Sequence, residues 1–320
     1  MSFRISAGSH AGISLVYLHD DNDRTLVSIA PQHGALLHGF AVSANGIEHN
    51  IIDHYADGAD LNRNLSSSYK SSKLSPFACR IPNGSWSLGE KTYQLENLFQ
   101  DGTAIHRLLY NKAFAEGPKT VTGFMASAQF TYAYRADDKG YPFDYDCVID
   151  YTLFAHQLLQ VKTTITNLSA NAIPIADGWH PYFTLGGKVD EYHLQFAAKG
   201  MLEFNDQLIP TGKLLPGDDF RAGIRIGARE LDNCFLLDPA GGNPVCILTH
   251  AKNGLSIAFE TDGNYPYLQL YIPPHRRSIA IENLSAAPDA FNNKMGLVTL
   301  APGESRSFTV YYRVKTSETA

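Results

Sequence analysis

The chain has little of what marks the specialised protein classes. Of 320 residues only four are cysteines, Cys79, Cys147, Cys234 and Cys246. They are scattered, form no C-x-x-C, and have no histidines at zinc-finger spacing, so neither a disulfide framework nor a structural zinc site is expected and four buried free thiols are. Long apolar runs are missing too. Stretches such as Gly34 to Val42 are broken by His or Gly well short of the roughly 18 residues that span a bilayer. Met1 to His10 has no basic segment followed by an apolar one, which makes the cytoplasm the expected location. Excess positive charge is also absent. Lys plus Arg number 26 against 32 Asp plus Glu, a formal charge of -6, the wrong sign for a partner of nucleic acid or of a membrane surface. Finally, amphipathic helix patterns are scarce; one short helix around Leu61 to Lys73 is the best candidate.

What the chain does contain is apolar and aromatic residues, 44% and 11%, with 18% charged, which excludes disorder and supplies a large core. Alternation with period two recurs along most of the chain. Phe143, Tyr145, Cys147, Ile149, Tyr151 and Leu153 alternate with mostly polar neighbours. After a short connection, Leu159, Val161, Thr163 and Ile165 do the same, which predicts a hairpin. A tighter hairpin is predicted from Trp86 to Leu95, turning at Gly89-Glu90-Lys91, and further strands at Leu255 to Phe259 and Phe308 to Val314. Many short strands, punctuated by 26 Gly and 16 Pro and without interleaved helices, point to an all-β fold, a large antiparallel β-sandwich. The length is compatible with one or two domains. No linker, repeat or low-complexity tract divides the chain, so residues 1–320 are read as a single domain.

Three segments carry groups suited to chemistry. Asp177-Gly178-Trp179-His180-Pro181-Tyr182-Phe183 packs a titratable imidazole among aromatic rings where Pro and Gly turn the backbone. Such a His is either a hydrogen-bonded core residue or part of a sugar site, where flat rings face pyranose C–H groups and the imidazole exchanges a proton. In Ile279-Ala280-Ile281-Glu282-Asn283-Leu284 a carboxylate interrupts an apolar strand, with Glu282 on the face of Ala280 and opposite Ile279 and Ile281. It must be solvated, paired, or placed on a polar cleft, because a buried lone carboxylate is costly. In Leu231-Asp232-Asn233-Cys234-Phe235-Leu236 an Asp enters a strand, ordinarily as a turn residue. The pairs His33/His38 and His49/His54 lack H-x-H or H-E-x-x-H and are not expected to bind metal.

Four segments in order resemble the aldose 1-epimerase (galactose mutarotase) family. Arg80-Ile81-Pro82-Asn83-Gly84, continuing to Leu95, is similar to its R-I-x-N-G-x-x-x-L-x-G-K-x-Y-x-L stretch, and His180-Pro181-Tyr182-Phe183 to its H-P-Y-F. Asp232 to Phe235 matches its D-x-x-F, and Ile279 to Asn292 followed by Leu300 to Glu304 its closing region. The resemblance implies a β-supersandwich, with Glu282 as catalytic base, His180 as catalytic acid, His106 as a second cleft histidine, and Arg80 and Asp232 as ligands of sugar hydroxyls. It also implies a small monosaccharide as the partner and no metal or organic cofactor. Two departures stand out: Arg107-Leu108-Leu109 follows His106 where the family has small residues, and Asn283 follows Glu282 where Pro is common. Bulk after His106 is expected to reshape the cleft wall, either by crowding it or by offering the Arg107 guanidinium to a hydroxyl or an anionic substituent.

The chemistry asks for one base, to take the anomeric proton, and one acid, to protonate the ring oxygen, expected on opposite sides of the C1–O5 unit. Rival readings are a carbohydrate-binding sandwich without turnover, a glycoside hydrolase, which normally needs two carboxylates, and a sugar-phosphate mutarotase using Arg107 or Pro273-Pro274-His275-Arg276-Arg277 to hold phosphate.

Overall fold

The computed structural model describes residues 2–44, 46–217 and 219–316. Strands dominate, and three large antiparallel sheets organise them. The first is a five-stranded meander, Phe3–His10, Ile13–Asp20, Thr25–Ala30, Leu36–Ala44 and Ile47–Asn50. The second has nine strands and is built around the predicted hairpin, Asp144–Phe154 paired with Leu158–Asn167. Its alternation is regular: Tyr145, Cys147, Ile149 and Tyr151 are buried while Asp146, Val148 and Asp150 are half-buried. The predicted strands near 255 and 308 are Leu255–Thr261 and Ser305–Thr316, and they lie side by side in this sheet. The third is an eight-stranded sheet whose centre is Asp232–Leu237, Tyr267–Tyr271 and Ile279–Leu284.

The third sheet packs face to face on the second, as expected for a sandwich. Phe183 meets Phe259 at 4.9 Å and Tyr312 at 5.3 Å between ring centres, and Trp179 meets Tyr151 at 6.0 Å. Ile279, Ile281, Leu268 and Leu270 enter the same apolar cluster. Because side chains alternate across a strand, residues one position away from these point to the other face. That outer face of the third sheet is where the functional groups lie.

The predicted hairpin at Trp86 forms as Ser85–Leu88 with Lys91–Gln94. Asn83 and Gly84 turn the chain into it with φ of 52° and 61°, a region that Asn and Gly tolerate best. The helix is Gly58–Ser68, three residues earlier than its predicted start. Asp57 caps it by accepting from the Asp60 N–H, Leu61 and Leu65 bury its inner side, and left-handed Tyr69 (φ 49°) ends it before Lys73. All four cysteines are buried free thiols. Among the described residues, no helix is long and apolar enough to cross a membrane.

Candidate active site

Glu282 sits in the middle of Ile279–Leu284, a strand buried along its whole length. One neighbour, Tyr267–Tyr271, places Gln269 directly opposite Glu282, and the next strand places Cys234 opposite Gln269. On the other side the neighbouring chain is interrupted. Gly178 pairs with Leu284 and Tyr182 with Ala280, so His180 falls opposite Glu282 in the gap between two short strands. Opposed residues share a face of a sheet, and the row Cys234, Gln269, Glu282, His180 follows from register alone. His180 is anchored by its backbone, donating to the Ser72 carbonyl at 3.1 Å and accepting from the Ser71 N–H at 2.9 Å. Pro181 keeps the turn, and the ring stacks on Tyr182 at 5.0 Å.

A second layer covers this row. Arg80–Ile81 pairs with Ala104–Ile105, which brings Cys79 beside His106. The His106 N–H donates to the Cys79 carbonyl at 3.0 Å, and the Cys79 N–H donates to His106 Nδ1 at 3.2 Å. Both residues hold positive φ, 57° and 51°, a costly conformation that this reciprocal pairing maintains. Since Nδ1 accepts, the neutral ring carries its proton on Nε2. The His106 ring stands edge-on to His180 at 4.9 Å and to Tyr69 at 5.0 Å. Arg80 Nη1 is paired with Asp101 at 2.6 Å and donates to Thr103 Oγ1 at 3.2 Å, which leaves the other N–H groups of its fork uncommitted in those contacts. Asp232 opens its strand and accepts from Gln269 Nε2 at 2.9 Å.

The five predicted residues, Arg80, His106, His180, Asp232 and Glu282, line one cavity of about 220 Å³. Glu282 is 2% exposed and His180 5%, and the nearest oxygen and nitrogen, Oε1 and Nε2, are 3.4 Å apart. Among the described residues the other carboxylate oxygen, Oε2, is buried with no hydrogen-bond partner. Burial, and then the negative charge of Asp232, push the Glu282 carboxyl well above the usual carboxylate range. Burial pulls His180 down to about 4. His106 is held well below the ordinary value by burial first, then by His180, Arg80 and Arg107. Both shifts favour the neutral form of the pair, a carboxylic acid beside an uncharged imidazole, with one proton that either group can hold.

Two expectations are corrected. Glu282 and His180, expected on opposite sides of a sugar ring, stand side by side on one wall. The two oxygens that such a reaction addresses are bonded to the same carbon, so adjacent groups meet its requirement. Of the three placements open to Glu282, the structure shows the cleft: the side chain is buried on the outer sheet face beside Cys79 and His106 and lines the cavity. Arg107, Leu108 and Leu109, expected to reshape the cleft wall, do not line the cleft. Leu109 is buried in the core, and Arg107 turns into a separate polar hollow where Nη1 reaches the Tyr110 hydroxyl at 3.2 Å.

Sequence reasoning missed Gln269, Tyr69 and Tyr271, which also line the cavity. Gln269 carried the same signal as Glu282, a polar residue interrupting an apolar strand. Cys79, His106 and Glu282 each bring a possible ligand atom to within 4.8 Å of the others, a spacing suited to a cation. His106 fits that role poorly, because Nδ1 is occupied by the Cys79 N–H and Nε2 bears the proton.

Comparison with known proteins agrees with this fold. A crystal structure of a galactose mutarotase-like protein from Clostridium acetobutylicum superposes with a TM-score of 0.88 at 17% identity, covering 99% of each chain. The galactose 1-epimerase of Lactobacillus acidophilus NCFM gives 0.80 at 19% identity over 98% of each chain. Among curated sequences, the uncharacterized protein YihR of Escherichia coli (strain K12) is 29% identical over 246 residues, 74% of this chain and 77% of its own. The aldose 1-epimerase family model matches residues 17–313, nearly the whole length, and the chain belongs to that family.

Proposed function

We propose that this protein is a cytoplasmic aldose 1-epimerase, acting as one catalytic unit that interconverts the α and β anomers of a free aldose by opening and reclosing the ring. The observation that carries this reading is the buried pair, His180 Nε2 against Glu282 Oε1 at 3.4 Å, with the second carboxylate oxygen left without a hydrogen-bond partner among the described residues and the side chain lining a cavity. A module that only binds sugar has no need to bury a carboxyl group with one oxygen unpartnered, which costs stability. Glu282 takes the proton of the anomeric hydroxyl while His180 protonates the ring oxygen. Rotation about C1–C2 and the reverse transfers give the other anomer. The anomeric hydroxyl donating to Glu282, and the ring oxygen accepting from His180, both favour the ionised pair over the resting neutral one. His106, fixed as an Nε2–H donor, together with Arg80 and Asp232, holds the remaining hydroxyls so that only the anomeric centre moves.

Optical rotation of freshly dissolved α-D-glucose and α-D-galactose tests the reading. The protein is expected to speed the approach to equilibrium of at least one of them, and an unchanged rate with every aldose would refute it. A neutral sugar is favoured over a phosphorylated one because the cation lining the cleft, Arg80, is already paired with Asp101 at 2.6 Å, and two other candidates for holding phosphate are directed elsewhere. Arg107 faces away from the cleft, and Arg276 is committed to Asp190 at 2.7 Å and to the carbonyls of Gly227 and Arg229.

The pH profile is a second test. The working pair holds one proton in all. As pH falls through about 4, His180 gains a second one and no base remains. As pH rises past the elevated Glu282 value, the last proton leaves and no acid remains. Hence kcat/KM is expected to decline below about pH 4 and again as pH rises past the elevated Glu282 value, giving a bell whose upper limb is set by Glu282. A profile that rises with a single pKa near the ordinary His value would contradict the assignment. Dialysis against a chelator should leave the rate unchanged, since the only charges in the mechanism are transferred protons. Loss of activity restored by zinc or magnesium would point to another reaction.

A further inference from the structure

The cavity at Glu282 is small for a site that encloses its ligand, about 220 Å³ against the ~300–1,000 Å³ usual for such sites. It adjoins a second hollow of about 300 Å³, and the two share Ser67, Ser68, Tyr182 and Tyr271. Tyr182 and Tyr271 stand nearly perpendicular, 88° at 6.3 Å, so they present an edge and a face along the shared rim. The second hollow is walled by the last turns of the Gly58–Ser68 helix and by the loop at Pro273 and His275.

Its polar groups are hydrogen-bonding rather than charge-seeking. Asn64 donates its amide to Asp60 at 2.6 Å, which leaves its own carbonyl oxygen free of that bond. His275 Nδ1 accepts from the Arg277 N–H at 3.0 Å, so the proton of the neutral ring is on Nε2. The cation in the lining, Lys70, is bound to Asp53 at 2.6 Å, and Asp60 adds a carboxylate. Such a lining repels an anionic substituent and suits a neutral polyhydroxyl ring lying against tyrosine.

The geometry points to a reducing disaccharide as the preferred substrate, with its reducing ring at Glu282 and His180 and the second sugar unit in the Asn64/His275 hollow. This rests on the mutarotase reading of the first cavity and adds a subsite to it. Contacts to the second ring lie away from the reacting carbon, and binding energy from such remote parts can be used to hold the reacting end in place, raising kcat/KM.

The test compares free glucose and galactose with freshly dissolved lactose, maltose and melibiose in the optical-rotation assay, using the full chain. At least one disaccharide is expected to exceed the hexose at its own reducing end by roughly tenfold or more in kcat/KM. Asn64→Trp, which fills the hollow, should lower that ratio about tenfold, and His275→Ala, at a side chain 46% exposed and therefore tolerant of change, should lower it as well. If the hexoses are turned over and no disaccharide is better, or if both variants leave the ratio unmoved, the subsite is refuted while the mutarotase reading stands. If no sugar responds, both fall.

Discussion

Glu282→Gln is expected to slow anomer interconversion by at least about 10²-fold with the fold intact. The amide keeps the size of the carboxyl but cannot take the anomeric proton, and general acid-base help is typically worth about 10²- to 10⁴-fold per group. Stability should not fall, and an increase is the physically favoured sign. The native carboxyl is 2% exposed and its pKa is raised by burial, so folding near neutral pH forces it to take up a proton, a cost that the amide does not carry. The variant therefore separates function from folding: activity falls while urea unfolding shows equal or greater stability. A folded variant that keeps most of its rate would remove Glu282 from the mechanism.

Lys73→Met should destabilise the protein by roughly 3–5 kcal/mol, the typical consequence of breaking a buried ion pair from one side. Lys73 and Asp177 are both fully buried, 2.6 Å apart. The ammonium also donates to the Gly178 carbonyl at 3.0 Å and lies over the Trp179 ring at 4.7 Å. Asp177 accepts from the Tyr265 hydroxyl at 2.8 Å. These contacts pin the short strand that leads into His180, so the loss should appear in kcat as well as in unfolding. Replacing both partners, Lys73→Met with Asp177→Leu, leaves no lone buried charge and should recover most of the stability. Chemical denaturation of the two variants checks this, and a double variant as unstable as the single one would show that the pair acts through something other than charge.

Much of the second sheet was legible because one face of its long strands is covered and the other half-open, so alternation survives in Phe143 to Ile165. The N-terminal sheet was harder to see. In Ile13–Asp20, Leu15, Val16, Leu18 and Asp20 are all buried, and burial on both faces erases the period-two signal. At the site, the identities of Arg80, His106, His180, Asp232 and Glu282 came through family motifs, and their convergence through pairing register, which no local pattern encodes. The environment of Glu282 was not legible. Its strand assigns it to the outer face, and only the distant segments that place Cys79 and His106 over that face decide that it is buried. Where Arg107 points was not legible for a related reason. Adjacency to His106 in sequence left open whether it enters the cleft, and the structure places it in a separate hollow instead.

Exchange spectroscopy by proton NMR on an equilibrated aldose tests the central claim most directly, because it observes the two anomeric protons trading places with no net reaction. With the protein present, cross-peaks should link the α and β anomeric signals of at least one sugar, and with Glu282→Gln they should vanish while that sugar still binds. Binding that broadens or shifts the anomeric signals without any exchange between them would contradict the account and identify a cleft that holds sugars but does not isomerise them.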